Sequence, residues 1–205
     1  MKIITDLKVQ SNNKKRVSVF LDGAFHCGLD LVTVYKYRLK KGQEIDEKTL
    51  TDIQRSSEIQ KCFDSALNYI SKSIKTTKQV RIKLIEKGYV KEIVNEVIVK
   101  LKEYGYLNDS DFAKKFVATY HNTKGKRVLY AMLKQKGVND EDINEALSTV
   151  DDQTENAKKL AEKYLKNKIL DRKNIQKCYN HLLSKGFSYD EAKNAISQFS
   201  DDENF

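Results

Sequence analysis

A 49-residue repeat is the feature that most constrains the fold of this chain. The segments LIEKGYVKEIVNEVI, LKQKGVNDEDINEAL and LLSKGFSYDEAKNAI align without a gap, and they place Gly88, Gly137 and Gly186 at the same position. Each glycine follows a lysine, and apolar residues recur around it at matching places. A unit of this size cannot bury all its apolar surface alone, so neighbouring units are expected to stack.

The apolar residues of each unit follow the spacing of three amphipathic helices. The matched apolar positions are Val80, Leu129 and Cys178; Leu84, Leu133 and Leu182; Val94, Ile143 and Ala192; Val97, Ala146 and Ala195; Ile98, Leu147 and Ile196; and, in the first helices, Phe63, Phe112 and Ala161 with Leu67, Phe116 and Leu165. The repeated glycines are expected in the left-handed conformation that ends a helix. The absence of proline also suits helices.

The first 57 residues have a different pattern. Residues 2–29 are rich in β-branched and aromatic side chains, and QSNNKK and Asp22-Gly23 are turn signals, so a small antiparallel sheet of two or three strands is expected. A helix is predicted from Asp30, near its cap, to Gly42, after its end. Residues 45–58 start another helix that leads into the repeats.

The predicted fold is therefore mainly α: three tandem three-helix repeats in an elongated, curved array, with a small N-terminal antiparallel β and helix extension. The predicted boundaries are 1–57 for the extension, 58–109, 110–150 and 151–205 for the three repeats, and a short acidic tail at Asp201 to Asn204. Asn139, and Ser188 with Glu191, are expected to cap the third helices of the second and third repeats.

Motifs for catalysis, cofactors and metals are absent from the sequence. It contains no phosphate-binding loop, no dinucleotide-binding glycine pattern and no H-E-x-x-H. His26 and Cys27 are adjacent on a predicted strand and point to opposite faces, which disfavours a nucleophile–base pair. The three cysteines have no disulfide or zinc spacing. We expect no catalytic residue, no metal, no cofactor, no membrane segment and a cytoplasmic location.

Basic residues carry more information, because the formal net charge is +9 and favours an anionic partner. Two basic clusters occupy equivalent repeat positions, since Lys75 plus 49 is Lys124. The first basic cluster is Lys72, Lys75, Lys78 and Arg81; the second is Lys124, Lys126 and Arg127. Either cluster could be a solvated helix face, or could bind phosphate or an acidic protein surface. Residues 151–205 are charge-neutral, so DNA contact is not extended to the third repeat.

Aromatic residues could also contact nucleic acid by stacking on bases. At helical spacing in a repeat protein, however, packing is the more common role for such side chains. The candidates are Tyr89, Tyr104, Tyr106, Tyr120, Tyr130, Phe187 and Tyr189.

The chain resembles the RecX family of bacterial RecA regulators. The similarity lies in ALNYISKSIKTTKQVRIKLIEKGYVKEIVNEVIVKLKEYGYLNDSDFAKKF and the following LKQKGVNDEDINEAL. It includes an A-L helix, a basic helix ending L-x-x-K-G, and G-Y-L-N-D followed by F-A at Phe112 and Ala113. The family often has arginine where this chain has Lys75 and Thr76, so a bidentate phosphate contact is not assumed there.

The resemblance implies a regulator, most simply an inhibitor, that lies in the groove of the filament of RecA and single-stranded DNA. It would modulate ATP hydrolysis, strand exchange and co-protease activity without catalysis of its own. The expected contact residues are both basic clusters, and the expected partners are the filament and single-stranded, possibly duplex, DNA, with the protein a monomer. The alternatives are a direct DNA-binding protein or transcription regulator, and a scaffold for an acidic protein.

Overall fold

The structure is a computed structural model that describes residues 1–199, so the acidic tail expected at Asp201 to Asn204 lies outside the described residues. The chain forms two compact units. Unit 1 comprises Met1–Lys72 and Arg81–Tyr104, and unit 2 comprises Ser73–Val80 and the chain from Gly105 onward. Each unit has its own buried apolar residues and is described by itself.

Unit 1 begins with an antiparallel sheet of four strands, in the order β3-β2-β1-β4. The strands are β1 (Lys2–Gln10), β2 (Asn13–Leu21), β3 (Ala24–Asp30) and β4 (Glu44–Ile45). The turn between β2 and β3 places Asp22 and Gly23 at φ of 48° and 86°, which is the hairpin turn that this dipeptide favours. The sequence predicted two or three strands and missed β4, because two residues are too few to show a period.

Helix α1 (Leu31–Lys36) is much shorter than the predicted helix ending before Gly42. The chain leaves the helix through Arg38, which has a φ of 50°, and turns back toward the sheet. There Gly42 donates its amide hydrogen to the Ile4 carbonyl at 2.8 Å. The return to the sheet to form β4 ends the helix, although the local residues would allow it to continue.

Helix α2 (Glu47–Ile70) is a single helix of 24 residues that is continuous through residue 57. Leu50 and Ile53 join the buried core of the sheet. Further along, Cys62 and Ala66 are fully buried, whereas Phe63 and Leu67 are half-buried. The 49-residue register predicted Phe63 and Leu67 as core positions of the first helix, and the buried face is instead rotated by one residue.

The remaining helices of the first repeat are α3 (Thr77–Glu86) and α4 (Lys91–Glu103). The first turn of α3 belongs to unit 2 and its last two turns to unit 1. Gly88, after α3, has a φ of 88°, which confirms the predicted left-handed helix end. Val94, Val97, Ile98 and Leu101 form the buried face of α4.

Unit 2 contains the second and third repeats, each with three helices. The second has α5 (Asp109–Tyr120), α6 (Lys126–Lys136) and α7 (Asp140–Ser148), and the third has α8 (Thr154–Leu165), α9 (Arg172–Ser184) and α10 (Tyr189–Ser197). Gly137 and Gly186 have φ of 87° and 92°. Asn139 caps α7, and Ser188 with Glu191 forms the capping box of α10. These predictions are confirmed.

The predicted three-helix repeats and the N-terminal antiparallel sheet are thus both present. In the second and third helices, the matched apolar positions are buried in all three repeats, except for Leu147, which is half-buried. The second repeat packs around Leu129, Leu133 and Ile143. The third packs around Cys178, Leu182 and Phe187.

Candidate functional site

The two basic clusters begin the middle helices of the first two repeats, α3 and α6. Thr76 precedes α3, accepts a hydrogen bond from the Gln79 amide on its hydroxyl oxygen, and donates its own amide hydrogen to the Gln79 side chain. Gly125 precedes α6 and offers no side-chain cap. Both helix starts are completed by groups from the following repeat, and we call these two sets of contacts joint 1–2 and joint 2–3. Both joints lie within unit 2.

The first matched contact joins the residue before each helix to the lysine before a repeated glycine. The Thr76 hydroxyl donates to the Lys136 carbonyl at 2.7 Å. In joint 2–3, the Gly125 amide donates to the Lys185 carbonyl at 2.9 Å. Donor and acceptor are each displaced by 49 residues, so the sequence repeat is also a repeat of this hydrogen bond.

The second matched contact satisfies the first amide of each helix. The Thr77 amide donates to Asp109 Oδ1 at 2.8 Å, and the Lys126 amide donates to Gln153 Oε1 at 3.1 Å. Gln153 is only 1% exposed, and its side-chain amide donates to the carbonyls of His121 and Lys124. An amide at a helix start has no partner within its own helix, so these side chains supply a cap from the next repeat.

The third matched contact uses basic side chains. Lys78 Nζ donates to the Gln135 carbonyl at 3.1 Å, and Arg127 Nη2 donates to the Leu183 carbonyl at 2.8 Å. Lys78 and Arg127 are 49 residues apart, and both acceptors lie in the last turn of a middle helix. Carbonyls at a helix C-terminus carry partial negative charge and favour a cation, so these two residues help to hold the repeats together.

The repeated glycines allow the close approach at both joints. A Cβ on Gly137 would lie 2.5 Å from the Lys78 side chain, and one on Gly125 would lie 2.0 Å from the backbone of Gly186. A Cβ on Gly88, in contrast, would meet nothing within 4 Å among the described residues. The three glycines share one backbone conformation, but only the later two also lie at a joint.

The other residues of the basic clusters have different surroundings. Lys72 and Arg81 belong to unit 1, and the other five belong to unit 2. Arg81 donates to the Asn95 side chain, and Lys75 Nζ donates to the Ser73 hydroxyl. Within residues 1–199, the ammonium groups of Lys72, Lys124 and Lys126 form no hydrogen bond with the protein, and Lys72 and Lys126 are exposed.

The aromatic candidates separate into packed and exposed side chains. Phe187 is 2% exposed, and the half-buried Tyr89 donates its hydroxyl to the Lys61 carbonyl at 3.2 Å. Tyr130 donates to Asp140. Tyr189 differs, because it is 68% exposed and lines a cavity at joint 2–3 together with Lys126 and Arg127.

No site for covalent chemistry is formed by the residues that sequence analysis considered. Burial raises the pKa of the Cys27 thiol to about 11, and a reactive cysteine needs the opposite shift. His26 lies 3.9 Å from Glu47. In residues 1–199, no group of three or more His, Cys, Asp or Glu side chains could hold a metal ion. In the same residues, every helix is too short or too polar to cross a bilayer.

Sequence reasoning missed the residues that build the joints. The 49-residue displacement of Thr76 to Gly125, and of Thr77 to Lys126, was a signal that could have identified one side. Asp109 and Gln153 are not related by that displacement, so only the structure identifies them as equivalent partners.

Comparison with known proteins identifies a family for the whole chain. The RecX N-terminal domain matches residues 2–46, and the first, second and third three-helix domains of RecX match residues 62–101, 108–147 and 151–196. The Regulatory protein RecX of Bacillus licheniformis is 40% identical over 204 residues, covering 97% of this chain and 78% of that protein. The Regulatory protein RecX of Clostridium perfringens is 35% identical, covering 98% and 97%.

Solved structures give the same result. A crystal structure of regulatory protein RecX has a TM-score of 0.71 and 30% identity, covering 97% of this chain and 100% of that one. The crystal structure of RecX from Lactobacillus salivarius has a TM-score of 0.64 and 34% identity, covering 70% and 97%. The repeat, the N-terminal sheet and both comparisons agree, and the chain belongs to the RecX family of regulatory proteins.

Proposed function

We propose that this chain regulates the RecA recombinase by binding the groove of its filament on single-stranded DNA. Binding there lowers ATP hydrolysis and, through it, strand exchange and co-protease activity. The protein acts as a cytoplasmic monomer, without catalysis of its own. A regulator that bridges neighbouring subunits restricts changes of filament pitch and subunit exchange, so it needs no covalent chemistry.

The observation that carries this proposal is the pair of matched joints. At each joint, the start of a basic helix is held by three contacts from the next repeat, so the neighbouring cations are fixed in position relative to the protein backbone. A filament offers phosphates and acidic side chains at regular intervals. Cations held by a repeat can meet such a lattice with little loss of conformational freedom, which favours binding.

The cations divide into two kinds with different expected roles. Lys78 and Arg127 donate to helix carbonyls, so their replacement would alter the joints as well as any contact with a partner. Lys72, Lys124 and Lys126 form no such bond within the described residues. These three lysines are therefore the sharper test of filament contact.

The test is ATP hydrolysis by recombinase on single-stranded DNA, titrated with a variant in which Lys72, Lys124 and Lys126 are all glutamine. We expect at least a tenfold higher concentration for half-inhibition. If the lysines contact DNA phosphates, the slope of log affinity against log salt should fall by about 2, at roughly 0.7 per contact on a single strand.

The matched control replaces the exposed Lys159, Lys166 and Lys173 of the third repeat by glutamine, which removes the same charge. Equal inhibition curves for the two triple variants would reject the assignment of the basic clusters. Mobility-shift assays with and without recombinase separate the direct DNA-binding alternative, which predicts full binding to duplex DNA alone. No effect of the wild-type protein on the ATPase would reject the proposed function itself.

A further inference from the structure

A cavity of about 350 Å³ lies at joint 2–3, between the start of α6 and the turn that precedes α10. This volume is within the range of about 300–1,000 Å³ that small-molecule sites occupy. The part of its lining used below consists of Lys126, Arg127, Leu183, Phe187, Tyr189 and Glu191.

One wall of the cavity carries two exposed cations. Lys126 and Arg127 are the first two residues of α6. The Arg127 guanidinium is oriented by its 2.8 Å bond to the Leu183 carbonyl, which uses one of its five N–H donors. The remaining donors, and the Lys126 ammonium, are available for an anion beside the cavity.

The opposite side of the cavity is aromatic. Phe187 is buried and belongs to the core of the third repeat, whereas Tyr189 is 68% exposed. Tyr189 is the first residue of α10, and the capping box of Ser188 and Glu191 fixes the backbone there. An exposed ring on a fixed backbone loses little entropy when a flat group packs against it.

Glu191 is the one acidic residue of the lining, and its carboxylate is already bound on both oxygens. Oε2 accepts from the Ser188 amide at 2.8 Å, and Oε1 accepts from the Gln153 amide at 3.2 Å. Two amide donors offset its charge, so Lys126 and Arg127 determine the sign of the potential beside the ring.

Joint 1–2 provides an internal comparison. At the positions 49 residues earlier, Thr77 replaces Lys126, Lys78 replaces Arg127, and Asp140 replaces Tyr189. Asp140 accepts bonds from Lys134 and Tyr130. The same backbone arrangement thus carries one cation and a carboxylate at joint 1–2, but two cations and an exposed ring at joint 2–3.

We propose that the cavity at joint 2–3 accepts a base of single-stranded nucleic acid, stacked on Tyr189, with the flanking phosphates bound by Lys126 and Arg127. The proposal rests on the proposed function for the presence of a single strand, and it adds the third repeat to the contact surface. Every base has a flat face, so stacking on a ring beside cations gives affinity without sequence preference. An acidic protein segment would need the cations but not the ring.

The test measures binding of the full-length protein to oligo(dT) without recombinase. Tyr189→Ala should weaken binding by about 5- to 100-fold, as expected for the loss of one stacked base, and Tyr189→Phe should stay within twofold. The control Tyr35→Ala, which removes a tyrosine that is 74% exposed in unit 1, should have no effect. Photo-crosslinking to oligo(dT) that contains 5-iodouracil should label Tyr189.

Unchanged binding by Tyr189→Ala, or labelling only at other residues, would overturn the inference. Weaker binding of that variant to the filament, with unchanged binding to oligo(dT), would also overturn it and assign the cavity to a protein segment. Inhibition of recombinase by Tyr189→Ala separates the two proposals, because retained inhibition leaves the proposed function intact even if the base site fails.

Discussion

The amide of Gly125 donates to the carbonyl of Lys185 at 2.9 Å, and the backbone of Gly186 lies where a side chain on Gly125 would have to be. Two backbones therefore meet without any side chain between them. This close approach, together with the left-handed φ of Gly186, explains why glycine occurs on both sides of joint 2–3.

Gly125→Ala is expected to destabilise unit 2 by about 3 kcal/mol, the upper end of the usual range for overpacking. The new Cβ would meet backbone atoms that cannot move without breaking the bond to Lys185. Gly88→Ala should cost only about 1–2 kcal/mol, from its left-handed conformation alone, because the space around it is open.

Urea unfolding followed by circular dichroism measures both changes, and hydrogen exchange at residues 185–188 locates the first one. Similar losses for the two alanine variants would show that the close approach at joint 2–3 does not determine stability.

Asp109→Ala should destabilise the chain by about 1–2 kcal/mol, as expected for loss of a helix cap. Asp109 accepts the first amide of α3 across joint 1–2, and Asp109→Asn keeps an oxygen acceptor and should cost less than about 0.5 kcal/mol. The matched control is Asp111→Ala, which removes the same charge from the same first turn of α5.

Urea midpoints for the three variants provide the comparison. If Asp111→Ala is as destabilising as Asp109→Ala, then the effect belongs to the charge at the start of α5 and not to the cap on α3.

The stability of the third repeat should decrease as pH falls below about 6.5. Burial lowers the pKa of His181, and nearby Lys185 and Lys168 lower it further. The unfolded chain then takes up the proton first, so stability is fully present above pH 6.5, the ordinary pKa of histidine, and is lost as pH falls through the lower pKa of the folded state.

Urea midpoints between pH 5 and 8 test this dependence, with His181→Gln as the comparison. The variant should have a flatter profile in this range, although His26 and His121 remain. Parallel profiles for the two proteins would contradict the role of His181.

The three cysteines should react slowly in the folded protein at pH 8. All three are buried, and burial raises the pKa of Cys27 and Cys62 to about 11 and that of Cys178 in the same direction. Because thiolate is the reactive form, a thiol reagent such as DTNB should react only after unfolding.

A Ser11→Cys variant supplies the control, because Ser11 is exposed in the turn between β1 and β2. Its added thiol should react at once, while the native three react only in denaturant. Rapid reaction of a native cysteine would show that its surroundings open in the folded state.

Sequence periodicity predicted the second and third helices of each repeat because their glycine turns and apolar faces keep one register. It failed for α2, where Cys62 and Ala66 replace Phe63 and Leu67 at the most buried positions. This helix also covers the sheet through Leu50, so its orientation must satisfy two partners, and a comparison among repeats contains only one of them.

The candidate site was only partly predictable for a related reason. Lys78 and Arg127 were recognisable as equivalent basic residues, but their acceptors are 57 and 56 residues further along the chain. Whether such a side chain faces solvent or the next repeat depends on how the repeats stack. The sequence contains the charge, and the stacking decides which neighbour receives it.

Helix α2 limits how this protein can be shortened. Its first half is covered by the sheet, and a 2.9 Å bond between the hydroxyls of Thr33 and Ser57 ties it to α1. A chain lacking the strands would retain Leu50 and Ile53 on an uncovered surface of a helix that the first repeat still requires. Any lineage or design that discards the sheet must therefore also replace those side chains with polar ones.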